Sequence, residues 1–462
     1  MKLIYNVKDK PKFSQLIVFA IQQLLAIMAA TIAVPAIVGN GLTASAALFG
    51  AGVGTLIYQL CTKFRSPVFL GSSFTFIGPM AAAFAGGVSM SLGYLGLVIG
   101  AIFAGLVYVV IALVVKFAGA GWINKLMPPV VIGPTVALIG LSLAGAAIND
   151  VFSYGPKVAF GTSNYFIMSA NLWVSFICAL VTLAVVILCS VYGKKMAKLI
   201  PFIIGIVAGY AVALVFTLIG KATGNASLMI IDFAPFNALV ADGVKFGTFI
   251  DLPKFTFLTA IDGAKEFEWS YLATIAVAYI PVAFVVFAEH IADHKNLSSI
   301  IESDLLEEPG LHRTLLGDGI GSMAGAFFGG CPNTTYGKSV GCVAITKNAS
   351  VLTITATSVL AILVSFISPF VAFLDSIPGC VMGGVCITLY GFIAVSGLKM
   401  IQKVDLEDNA NLFTVSVILI TGIGGMALKI GKVTITAIAC ALILGIIINI
   451  LLNKFKKNTP KD

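Results

Sequence analysis

Uncharged apolar runs of about 20 residues follow one another along almost the whole of this chain, and each is long enough to cross about 30 Å of hydrocarbon. Lipid offers no partner for a free backbone N–H or C=O, so every such run must satisfy its backbone internally. Runs of this length read as helices. Composition agrees: 59% of the 462 residues are hydrophobic and 10% charged, against roughly 45–50% apolar and about 25% charged in soluble domains. The chain therefore reads as an all-α polytopic membrane protein with about fourteen crossings, two or three of them short or broken.

The basic start, Met1 to Phe13, precedes an apolar stretch beginning at Ser14. At about 25 residues that stretch exceeds a signal-peptide core, and no small-residue cleavage site follows, so it reads as the first span. The net charge of +8 points to membrane topology and not to nucleic acid, because the basic residues sit in short loops and at the ends. Lys63 and Arg65, Lys116 and Lys125, and Lys194, Lys195 and Lys198 fall in alternate loops on the side of the N-terminal lysines. Lys454, Lys456 and Lys457 lie near the other end, so both termini are expected in the cytoplasm. Lys429 and Lys432 break the pattern by falling in an outside loop. The eight cysteines are scattered without a C-x-x-C, so neither a disulfide nor a zinc framework is expected.

The two halves repeat. Met127 to Gly133 (MPPVVIG) aligns with Ile377 to Gly383 (IPGCVMG) at an offset of 250, and Gly71 to Phe76 (GSSFTF) precedes Gly330 to Thr335 (GCPNTT) by 259. Seven spans per half is an odd number, so the second half enters from the opposite side, giving a 7+7 inverted repeat of the kind that builds many transporters. The most polar stretch, about 220–268, links the halves and is expected outside. The charged loop from Glu302 to Arg313 reads as a solvated cytoplasmic face.

Cys331 to Thr346 (CPNTTYGKSVGCVAIT) places Asn333, Thr334, Thr335, Tyr336 and Lys338 amid Pro332, Gly337 and Gly341. A polar, broken segment survives at membrane depth only inside protein or beside a cavity. Together with Gly71 to Met80 it reads as a short extended piece followed by a half-helix, whose N-terminal N–H groups supply fixed positive ends for ligand oxygens. Three charges fall where hydrocarbon is expected: Glu289, Asp293 and Lys338. Each costs roughly 2.5–3.5 kcal/mol at a helix centre, so each is a functional candidate. Glu289 and Asp293 are four apart, hence on one helix face, and Glu289 follows Ala30 by the same offset of 259. Backbone donors, a carboxylate that accepts ring N–H groups, and the aromatic rings of Phe74 and Tyr336 match the edge of a pyrimidine or purine dione. His290 and His294 share the i, i+4 spacing of metal ligands but lack a third partner, so no metal or cofactor is expected.

These stretches resemble the nucleobase/ascorbate transporter family, and within it the bacterial uracil and xanthine permeases. The resemblance runs through Gln22 to Pro35 (QQLLAIMAATIAVP), Gly71 to Pro79, Phe287 to His290 (FAEH), Pro309 to Arg313 (PGLHR), Pro332 to Gly341 and Pro378 to Gly391. It implies no enzyme but a secondary transporter of a small nucleobase, driven by H+ or Na+. It implies a core domain (1–120 and 269–375) and a gate domain (121–221 and 376–453) moving against each other, with an outer linker at 222–268 and a cytoplasmic tail at 454–462. A homodimer through the gate domain is a further expectation, in a cell membrane. It also implies roles: Glu289 as the substrate carboxylate and, with Asp293, a coupling group; Phe74, Gly337 and Ala30 bordering the base; Tyr336 as a wall. Three departures stand out. Gln23 replaces a common His, Asp293 stands where uracil permeases carry His, and Lys338 occupies a position usually Glu or Gln. An ammonium only donates, so Lys338 keeps an uncoupled facilitator and an anion carrier of the same architecture as alternatives.

Overall fold

The computed structural model describes residues 3–119, 128–155, 157–160, 163–194, 196–241, 243–430 and 433–458. Met1, Lys125, Met127, Lys195 and Lys432 lie outside the described residues. Among the described residues, eight helices are long and apolar enough to cross a membrane, and Val351–Val364, Asn409–Ile423 and two further shorter helices are apolar as well. Contacts divide the chain into two compact units: residues 1–142, 254–362 and 392–462, and residues 143–253 and 363–391.

The first unit carries every residue singled out for ligand binding. Its early elements are helix α1 (Phe13–Val38), helix α2 (Ala44–Cys61), strand β1 (Leu70–Ser72), the short helix α3 (Ile77–Ala83) and helix α4 (Met90–Ala118). They are followed by helix α5 (Trp269–Ile301), helix α6 (Leu311–Gly329), strand β2 (Asn333–Thr335) and helix α7 (Gly337–Thr346). Strands β1 and β2 pair antiparallel with Leu70 opposite Thr335, Gly71 opposite Thr334 and Ser72 opposite Asn333. Each strand thereby satisfies backbone groups that its own broken helix leaves open.

Helices α2 and α6 meet through glycines spaced four apart on both sides. A Cβ on Gly54 would lie 2.6 Å from the Gly321 carbonyl oxygen, and one on Gly50 would lie 2.6 Å from that of Gly325. Only bare backbone allows this approach, the packing that small residues permit between helices in lipid. The seam also receives Asn333, whose Nδ2 donates to the Gly50 carbonyl at 3.1 Å.

The N-terminal segment closes over the far end of α7. Ile4 N donates to Lys347 O at 2.8 Å, Ala349 N to Tyr5 O at 2.9 Å and Val351 N to Val7 O at 3.1 Å. Leu3 and Val7 pack on a cluster formed by Tyr58, Val68, Leu297, Val340 and Val343.

In the second unit, helix Pro201–Thr223 is tied to the following loop through Thr217, whose hydroxyl oxygen accepts from Ile230 N and Ile231 N, both at 3.1 Å. The chain is mostly helical, with extended pieces at the two broken helices as expected, and two short hairpins add to them. Lys157–Phe160 pairs with Ser163–Phe166 and Leu428–Ile430 with Val433–Ile435. Both are short β-branched or aromatic runs flanking a glycine, a hairpin signal that the length of the apolar runs obscures.

In the loop from Glu302 to Arg313, Glu308 forms an ion pair with Arg65. Their side chains are 69% and 38% exposed, so solvent screens the pair and its worth is about 0–1 kcal/mol. Arg65→Gln should leave the detergent melting temperature within about 2 °C of the parent, and a larger fall would contradict this reading.

Candidate ligand site

Helix α5 presents its acidic face to the broken segments. The main chain turns from β1 through a single 3-10 turn, Phe74–Phe76, into α3. The fully buried Phe76 stacks on Tyr279 of α5 with ring centroids 5.6 Å apart, which anchors the turn against that helix. Thr75, next in line, hydrogen-bonds the Glu289 side chain. On the other broken segment, Thr335 Oγ1 donates to Asp293 Oδ2 at 3.2 Å. Asp293 also lies against the start of α7, where a Cβ on Gly337 would come 3.1 Å from its Oδ1. A carboxylate at that helix end is favourably placed on the positive end of the macrodipole.

Exposure outlines the open face. Glu289 and Gly337 are exposed, and Phe74, Asp293 and Lys338 are half-buried, although Phe287, Ala288, His290, Tyr336 and Ser339 around them are buried. Ala30 is fully buried in α1. Tyr336 packs over β1: its ring would lie 3.0 Å from a Cβ on Gly71, and it sits within electrostatic reach of Glu289. Lys338 stands in the first turn of α7, the turn that carries Gly337.

Gln23, in place of the expected His, is buried and bonds Ser339. Its Nε2 donates to Ser339 Oγ and, at 3.4 Å, to the Ser339 carbonyl, while Phe69 N donates to the same Oγ at 3.0 Å. One serine thus ties α1, α7 and the entry to β1 together.

The count of buried charges also needs correction. Asp318, in the middle of α6, is completely buried, and its Oδ2 lies 2.7 Å from His290 Nδ1. It also accepts from Thr334 Oγ1 at 3.2 Å. A lone acid within a glycine-rich apolar helix was the available signal. The four ring nitrogens of the His290 and His294 pair are all held by protein: His290 by Asp318 and Thr314, His294 by the His290 carbonyl and Tyr58.

A cavity of about 400 Å³ opens at the other end of α5, bordered by Ala82, Tyr271, Thr274 and Lys429. Thr274 precedes Glu289 by 15 residues, about 22 Å along the helix, so this cavity is separate from the acidic face.

A chain of membrane-spanning helices, broken twice to bring a carboxylate and helix ends to one open face, is a multi-pass membrane transporter and not an enzyme. It belongs to the Permease family, whose Xan_ur_permease model matches residues 14–431. The uracil permease of Bacillus caldolyticus is 40% identical over 455 residues, covering 98% of this chain and 95% of that protein. That of Bacillus subtilis (strain 168) is 37% identical over 460 residues, covering 99% and 97%. The uracil permease of Escherichia coli (strain K12) is 33% identical over 459 residues, covering 99% and 96%. Among solved structures, the transmembrane domain of the cyanobacterial bicarbonate transporter BicA superposes with a TM-score of 0.61 at 16% identity, over 96% of this chain and all (100%) of that one. Murine Slc26a9, an anion transporter, gives a TM-score of 0.61 at 13% identity over 97% and 69% of the two chains. These two likenesses speak to the fold alone.

Proposed function

We propose that this permease is a secondary active importer of a nucleobase, uracil or a xanthine- or urate-type purine, coupled to H+ or Na+. The observation that carries the reading is the Glu289 carboxylate, held by Thr75 and open toward the α7 N-terminus. It accepts ring N–H groups, while the helix end and Lys338 donate to ring carbonyls. The names of the relatives support uracil as the first substrate to test. Phe74 and Tyr336 supply faces for the ring, and Ala30 and Gly337 border it.

The core and gate domains, moving in an elevator-like manner, remain part of this proposal, as do the inverted repeat, a cell-membrane location with both termini cytoplasmic, and a homodimer. Thermal stabilisation of the purified protein by uracil, xanthine, hypoxanthine, guanine, urate, sulfate and bicarbonate tests the substrate class. Stabilisation by sulfate or bicarbonate alone would reject a nucleobase. An anion also fits poorly beside Glu289, which repels it unless protonated.

Lys338 favours one second reading. An ammonium in the first turn of α7 can stand in for the coupling cation, which would make the protein a facilitator. On that reading Lys338→Glu gains gradient-driven accumulation that the parent lacks; on the leading reading the parent already accumulates substrate when the outside is acidified. Uptake into proteoliposomes with and without a pH gradient decides between them.

A further inference from the structure

We infer that the buried His290 and Asp318 pair, behind the ligand-facing wall, stores the proton that moves with the substrate. This rests on the proton-coupled reading above and adds a site to it. Both side chains are completely buried, and neither belongs to the open face.

The pair is built to exist in two protonation states without breaking a hydrogen bond. His290 Nδ1 and Asp318 Oδ2 lie 2.7 Å apart, and His290 Nε2 lies 3.0 Å from Thr314 Oγ1. The Thr314 hydroxyl has a second partner, the Leu311 carbonyl, at 3.1 Å. In the unloaded state a neutral imidazole donates from Nδ1 to the carboxylate, and Thr314 donates to Nε2. In the loaded state one added proton sits on Nε2, the Thr314 oxygen accepts it, and the hydroxyl hydrogen turns to Leu311. A hydroxyl rotation is the whole rearrangement. The net charge of the pair goes from −1 to 0, and a buried uncompensated charge is the costlier state. Asp318 Oδ1, buried without a hydrogen-bond donor, makes the unloaded carboxylate still less comfortable.

The pair also has a mechanical link to the ligand. Successive strand side chains point to opposite faces, and the adjacent Thr334 and Thr335 of β2 donate to Asp318 and Asp293 respectively. Any shift of β2 as ligand meets Glu289 and Asp293 therefore alters the bonding of Asp318. Glu289 is next to His290 in α5, so a pull on one reaches the other. The titratable groups facing the pair are Glu289, Asp293 and His294 on α5, Tyr58 on α2 and Tyr108 on α4. The His290 and His294 rings stack with centroids 4.0 Å apart. His294 donates from Nδ1 to the His290 carbonyl at 2.8 Å, and its Nε2 lies 2.7 Å from the Tyr58 hydroxyl.

The test is uracil transport in proteoliposomes. Asp318→Asn and His290→Gln should each lose at least tenfold in accumulation driven by an acid outside, while uracil counterflow stays within about twofold of the parent. The double variant should be no worse than either single one. Retained accumulation in Asp318→Asn overturns the inference, and so does joint loss of accumulation and counterflow in a variant whose melting temperature is unchanged. Should both variants fail to fold, Thr314→Val keeps the pair but removes the rotating hydroxyl. Its uptake should then show a displaced pH optimum, and an unmoved optimum counts against the inference. A parent that shows no uracil counterflow condemns the nucleobase reading instead. Proton uptake by the purified protein after a pH jump, read with a pH dye, then decides for the pair without any substrate. The parent must take up one proton more than the folded pair variant, and equal uptake refutes the store.

Discussion

Glu289→Ala is expected to weaken uracil binding by roughly 10- to 150-fold and to leave uptake undetectable. A hydrogen bond to a charged group contributes about 1.5–3 kcal/mol, and each 1.4 kcal/mol is about tenfold in Kd. Glutamine at the same position keeps a carbonyl acceptor but no charge, so Glu289→Gln should fall between the parent and alanine. Thr75→Val removes only the group that holds the carboxylate and should cost a few-fold. Calorimetric titration of the purified proteins gives the order directly. An unchanged Kd for Glu289→Ala would falsify the assignment of Glu289 as the ligand carboxylate.

The second large effect is expected far from any ligand contact. A Cβ on Gly325 would lie 2.3 Å from Asn333 Nδ2 and 2.4 Å from its Cγ. Gly325→Ala must therefore push Asn333 off the Gly50 carbonyl, and β2 moves with it, carrying Thr334 and Thr335 away from Asp318 and Asp293. Overpacking of this kind costs about 1–3 kcal/mol, equivalent to a fall of roughly 5 °C in melting temperature. Uptake should be lost with it. Gly145→Ala is the matched control, since nothing lies within 4 Å of its added Cβ. A normal melting temperature and normal uptake for Gly325→Ala would mean that β2 tolerates displacement.

Much of the site could be read from spacing. Glu289 and Asp293 are four apart, and the structure does put both beside the broken segments. The Pro332 and Gly337 breaks delimit an extended piece followed by a helix, as the lack of backbone partners in lipid requires. What spacing cannot show is which distant segment supplies those partners: the β1–β2 register joins residues with no local signal of each other. Asp318 escaped for a related reason. Its helix reads as an ordinary glycine-rich span, and a single carboxylate there gains meaning only once His290 and Thr334 are seen to reach it. The hairpins at 157–166 and 428–435 were not legible for another reason: each is a short alternation beside apolar runs whose length dominates the reading.

The β1–β2 pair also sets a schedule for assembly. Ser72 and Thr335 are 263 positions apart, so Leu70 to Ser72 wait for their partner until the ribosome has made most of the chain. At about 5–20 residues per second the wait is roughly 13–53 seconds. Through that time the first broken helix stands in the membrane with backbone groups unpaired, exposed to the insertion machinery and to quality control. Truncations ending before Asn333 should accordingly be cleared quickly, whereas chains that extend past Thr335 can close the pair.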